Sequence, residues 1–144
     1  MTNRERRRAT ERRKELTVAL RDDVRRVLNA ICEGKGVVED PDGDFCVELG
    51  ELPRWVRIVE KPDAVCVFGF LAFEVPRSTE VEQFLHDTNR SCLMFRTFWE
   101  DDGILLRVDL MASPLVPSQL QAALEDFEKV AASIGPKARE WSVS

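Results

Sequence analysis

Val65-Cys66-Val67-Phe68-Gly69-Phe70-Leu71-Ala72-Phe73 reads as a β-strand with apolar side chains on both of its faces. A strand in an antiparallel sheet commonly keeps one dry and one wet face. Apolar residues on both sides therefore imply helices on one side and further protein, or a ligand, on the other.

Upstream, Leu16, Leu20, Val24, Val27, Leu28 and Ile31 recur at helical spacing, and the pattern stops at Gly34 and Gly36, where a helix can end in a left-handed turn. Asp40-Pro41-Asp42-Gly43 is turn chemistry. Phe45 to Leu49 follows as a strand with Phe45, Val47 and Leu49 on its dry face, and Leu52-Pro53 breaks it. Trp55 to Lys61 reads as a second strand, Pro62-Asp63 as a turn, and Ala64 to about Val75 as the third, giving an antiparallel meander.

Downstream, Pro76 ends the third strand. Thr79 with Glu82 reads as a capping box for a helix bearing Val81, Phe84, Leu85 and Thr88. Leu93 to Trp99 is a fourth strand. Asp101-Asp102-Gly103 is a hairpin turn in which the glycine would take the positive φ, and Ile104, Leu106, Val108 and Leu110 face the core from a fifth strand. A last helix follows Pro117-Ser118 with Leu120, Ala123, Leu124, Phe127, Ala131 and Ile134 as its stripe, ending at Gly135-Pro136. The expectation is an α+β domain of order α-βββ-α-ββ-α, an antiparallel five-strand sheet with the first and last helices on one face.

At 144 residues one domain is expected, over residues 16–136, with a basic arm at 1–15 and a tail at 137–144. Hydrophobic residues make up 44% and charged residues 33%, a soluble globular profile, and a net charge of −5 gives no general attraction to nucleic acid or membrane. The arm has no apolar run after its basic residues, and it contains glutamates. It therefore resembles neither a secretory signal nor a transit peptide, and a cytoplasmic protein is expected. The uncharged run from Ala64 to Phe73 is half of the about 20 residues a membrane-spanning helix needs. Cys32, Cys46, Cys66 and Cys92 contain no C-x-x-C pair and read as buried thiols.

Few residues carry chemistry. Phe68 to Phe73 matches the aromatic half of an RNA-recognition motif, but Cys66 and Val67 replace its opening basic residue and glycine, and a core strand is the better reading. Asp40, Asp42, Asp44 and Glu51 have the spacing of calcium-loop ligands, but Phe45 stands where that loop requires glycine, so a turn with solvated carboxylates is expected. His86 and Asp87 are adjacent on a helix and point apart. No catalytic residue, metal or cofactor is expected. Arg6, Arg7, Arg8, Arg12 and Arg13 are candidate phosphate-binding residues, although interleaved Glu5, Glu11 and Glu15 favour a salt-bridged helix overhang or plain solubility.

Phe84-Leu85-His86-Asp87-Thr88-Asn89, Phe95 to Leu110 and Leu120 to Ile134, with the element order from about 16 to 135, resemble the YbjN family, small bacterial proteins with the fold of type III secretion chaperones. The resemblance implies a non-enzymatic protein that dimerises and binds other polypeptides. Family members are also described as sensory or regulatory, and the arginine-rich start lies outside the family pattern.

If helices cover Val56, Ile58, Leu106 and Val108, alternation puts Trp55, Arg57, Met94, Arg96, Phe98 and Arg107 on the other face, with Phe68 and Phe70 joining them unless Gly69 marks a bulge. Aromatic residues, methionine and arginine together are the composition of an interaction surface. The alternative is that the middle helix covers this face. Two readings follow: a homodimeric module binding a client polypeptide through this sheet face or a helix groove, and a nucleic-acid-associated regulator using the arginine arm.

Overall fold

The structure, a computed structural model, describes residues 1–48, 50, 52–59, 63–92 and 94–143. Its first element, α1 (Asn3–Ile31), runs unbroken through the basic arm into the expected helix. Thr2 and Glu5 form a reciprocal capping box that starts it. Val24 and Leu28, one turn apart, are its buried contacts. It ends where Glu33 and Gly34 take positive φ and the Gly34 N–H bonds the Asn29 carbonyl.

Six strands follow the order β1 (Val37–Glu39), β2 (Phe45–Val47), β3 (Arg54–Val59), β4 (Ala64–Ala72), then β5 (Arg96–Glu100) and β6 (Gly103–Met111). They form one antiparallel sheet ordered β1-β2-β3-β4-β6-β5. The sheet thus has one strand more than expected. β1 is only three residues long, too short to show a periodicity. It is fixed from outside, since Arg21 and Arg25 of α1 both pair with Glu39. The expected strand positions Leu49, Glu60, Lys61 and Leu93, and the turn residue Pro62, lie outside the described residues.

Other details differ from expectation for local reasons. Helix α2 (Thr79–Ser91) is capped by Ser78, whose hydroxyl accepts from the Val81 N–H, while Glu82 pairs with Arg77. In the β5–β6 hairpin Asp101 and Asp102 carry the positive φ, and Gly103 already belongs to β6. Aspartate tolerates that region better than most residues, so the glycine is not required for the turn. Gly103 instead lies where a Cβ would meet the Ala72 carbonyl at 2.8 Å. Helix α3 (Pro117–Arg139) continues past Gly135 and Pro136, because Ala138 is fully buried and holds the last turn in place.

All three helices share one face of the sheet. Val56, Val65, Val67, Leu106 and Val108 form one core with Val24 and Leu28 of α1, Val81 and Leu85 of α2, and Leu120, Leu124 and Phe127 of α3. The middle helix therefore does not cover the other face. It seals the sheet edge instead: Asn89 accepts from the Thr97 N–H at 2.6 Å and donates to its carbonyl at 3.1 Å. That side chain satisfies backbone groups an edge strand would otherwise leave bare.

Candidate functional site: the open face of the sheet

With every helix on one side, the pleat assigns the opposite face residue by residue. Three cross-strand rows cross it. Arg57, Cys66 and Asp109 make the first, Trp55, Phe68, Arg107 and Arg96 the second, and Phe70, Leu105 and Phe98 the third. Phe68 and Phe70 thus stand beside Trp55. The irregularity falls between Phe70 and Ala72, one residue beyond the glycine suspected of it. Gly69 faces the core, where it makes room for the Phe127 ring.

The apolar centre is layered. Trp55 stacks on Phe68 with centroids 6.0 Å apart and planes at 21°, and Phe70 leans on Phe73 at 5.2 Å. Leu105 is buried between Phe70 and Phe98, whereas Phe98 is 43% exposed. Met94 is exposed in the loop entering β5.

The arginines are not equivalent. Arg57 lies 4.9 Å over the Phe68 ring and forks onto Asp44, Nε to Oδ1 at 3.0 Å and Nη2 to Oδ2 at 2.8 Å. This hydrogen bond raises the Arg57 pKa. Arg107 donates to Asp109 at 2.9 Å. Burial pulls its pKa down, but the hydrogen bond to Asp109 and the charge of that carboxylate raise it. Arg96 donates to the Cys92 and Phe95 carbonyls and meets no carboxylate among the described residues. A ligand carboxylate would share Arg57 or Arg107 with the chain's own acids, but would have Arg96 to itself.

Beneath this layer Cys66 is buried, and burial pushes its thiol up to about 12, so it carries no thiolate at neutral pH. All four cysteines are free. The aspartates of the calcium-like spacing have local duties: the Asp40 carboxylate accepts from the Asp42 and Asp44 N–H groups, and Asp44 holds Arg57. Glu51 lies outside the described residues. Among the described residues no group of three or more acidic, cysteine or histidine side chains could hold a metal ion, and no helix is long and apolar enough to cross a membrane. His86 is exposed, and its neighbour Asp87 accepts from Gln83 instead.

Sequence reasoning missed Asp44 and Leu105, and it offered a helix groove without placing it between α2 and α3. Leu105 has the parity of Arg107 and could have been found by alternation. Asp44 reaches Arg57 from a loop, for which spacing gives no signal. The groove, about 590 Å³ in volume, is lined by Phe84, Ile134 and Trp141, with Phe84 meeting Trp141 edge-on at 5.1 Å. Arg6, Arg7, Arg8, Arg12 and Arg13 are all exposed along the first turns of α1.

A family model described as "T3SS (YopN, CesT) and YbjN peptide-binding chaperone 1" matches residues 19–140. The chain belongs to this TY-Chap1 family. It is therefore a member of a peptide-binding chaperone family, and the likeness to YbjN proteins is borne out. Among solved structures it resembles the ExsC–ExsE complex, with a TM-score of 0.66, 13% identity and coverage of 82% of this chain and 95% of that one. It resembles the Yersinia pestis type III secretion chaperone SycH in complex with a stable fragment of YscM2, with a TM-score of 0.53, 16% identity and coverage of 74% and 95%. It also resembles YbjN from E. coli, with a TM-score of 0.59, 15% identity and coverage of 81% and 91%. At these identities the likeness shows the fold, α+β with an antiparallel sheet. No curated protein matches the sequence.

Proposed function

We propose that this TY-Chap1 protein works without catalysis, holding a client polypeptide against the open face of its sheet, as a homodimer in the bacterial cytoplasm. One observation carries the reading: all three helices pack on one face, and the other presents Trp55, Phe68, Phe70 and Phe98 between arginines. Aromatic rings give large contact area at small entropic cost, and Arg96 gives a client carboxylate a charge-assisted bond. Two of the structural neighbours, ExsC–ExsE and SycH with YscM2, are themselves complexes with a second polypeptide, which supports the same use of the fold here.

The test separates surface from core. Client polypeptide should copurify and survive high salt, and mass spectrometry would identify it. Phe98→Ala should then weaken client binding by about 2 kcal/mol, the size of a hot spot, with little loss of folding stability. Val108, 3% exposed on the opposite face, should behave in reverse. Val108→Ala should cost about 2 kcal/mol of stability through the cavity it leaves. Equal thermal destabilisation by the two substitutions would make Phe98 a core residue and remove the proposed surface.

Exposed Val38, Phe73, Met94 and Met111 leave apolar area that a second copy would cover. Light scattering at tens of micromolar should therefore return the dimer mass, and a monomer mass would refute the homodimer.

A further inference from the structure

We propose that the projecting turns of α1 bind duplex DNA through one face made by Arg6, Arg7, Arg13 and Lys14, an activity separate from the client site. Each residue of an α-helix turns by about 100°, so residues spaced i, i+1, i+7 and i+8 share a side. Thr10 lies between the two cation pairs, and the hydroxyls of Thr10 and Thr17 fold back onto the Arg6 and Arg13 carbonyls at 2.9 and 3.0 Å, keeping the stripe low. The three glutamates of the arm, Glu5, Glu11 and Glu15, fall on the remaining side, interleaved with Arg4, Arg8 and Arg12.

The expected salt-bridged overhang is not what the structure contains. Among the described residues none of the four cations is in an ion pair, and Glu5 is used by the cap. Every residue from Met1 to Leu16 is exposed, so about 20 Å of bare helix stands clear of the core. The remainder of the chain is net acidic and repels a polyanion, leaving the arm as its point of approach. A lipid surface fits less well, because a helix lying on one needs an apolar stripe, and the exposed Met1, Ala9, Leu16 and Val18 are too few and too scattered around the helix to make one. A bare helix of about 10–12 Å diameter fits the major groove of B-form DNA, about 12 Å wide, with cations on either flank to meet phosphates.

The test is fluorescence anisotropy of a labelled mixed-sequence 20-base-pair duplex (about two helical turns) with the full chain. Four phosphate contacts predict a slope of log K against log salt of about −3.6. Replacing Arg6, Arg7, Arg13 and Lys14 together with alanine, which keeps the helix, should weaken binding at least about tenfold at low salt, whereas replacing Arg4, Arg8 and Arg12 should cost less than about threefold. Phe98→Ala should leave DNA binding unchanged, so this result and the client reading fail independently. No binding by the wild-type chain, a slope near zero, equal losses in the two alanine sets, or phosphatidylserine vesicles bound as tightly as the duplex would each overturn the proposal.

Discussion

Replacing Arg54 with alanine should lower folding stability by about 3 kcal/mol or more, whereas Arg54→Met should cost less than about 1.5 kcal/mol. Arg54 is 1% exposed and lies on the core side of β3, beside Val56. Its Nη1 donates to the Leu124 carbonyl at 2.7 Å, its Nη2 pairs with the Glu128 carboxylate, and its guanidinium sits 5.0 Å over the Phe127 ring. Alanine would leave a void beneath α3 and remove the cation from the ring. The charge matters less than the volume, because Glu128 is 39% exposed at its side chain and already reaches water. A well-packed apolar side chain commonly replaces such an ion pair at little cost. Urea denaturation of both variants checks this. A methionine variant as unstable as the alanine one would show that the ionic network, and not the packing, holds α3 to the sheet.

Arg54 also shows where sequence reading stops. It has the same parity as Val56 and Ile58, but the expected strand began at Trp55 and left it out, because a charged residue after a proline reads as lying outside a strand. A helix carbonyl and a carboxylate from a distant part of the chain help to make its burial tolerable, and no local pattern announces them. The same holds for β1, where two arginines of α1 meeting at Glu39 fix three residues that have no periodicity of their own. By contrast, the helix stripes and the strand alternation of β3, β4 and β6 depend on nearest neighbours in sequence, and they were legible. The end of α3 was not, since burial of Ala138 overrides Gly135 and Pro136.

The candidate face was legible for the same reason as the fold. Strand parity alone brings Trp55, Arg57, Phe68, Phe70, Arg96, Phe98 and Arg107 together, whatever their chemistry. What parity cannot give is the state of each side chain. That Asp44 and Asp109 occupy two of the arginines, while Arg96 bonds only backbone carbonyls among the described residues, follows from loop geometry and rotamers. These pairings decide which cation meets a client carboxylate first.

Gly69→Ala should destabilise the protein by as much as about 3 kcal/mol, although the change adds a single methyl group. A Cβ at Gly69 would stand 2.9 Å from the Phe127 Cζ and 2.9 Å from the Pro53 carbonyl oxygen. The ring can yield by repacking, but the carbonyl enters β3 and can retreat only by disturbing its pairing with β4. Phe127→Leu removes one of the two obstacles, so Gly69→Ala should cost less in that background, with a coupling of about 1 kcal/mol. A cost below about 0.5 kcal/mol in the wild type would mean that the ring does not fill that space, and the same cost in both backgrounds would assign the clash to the Pro53 carbonyl alone. Client binding should fall along with stability. Gly69 lies between Phe68 and Phe70, which project to the opposite face, so any shift of β4 that relieves the clash moves both rings away from Trp55 and Leu105. A residue that touches no client thus sets the spacing of the aromatic face that we propose receives it.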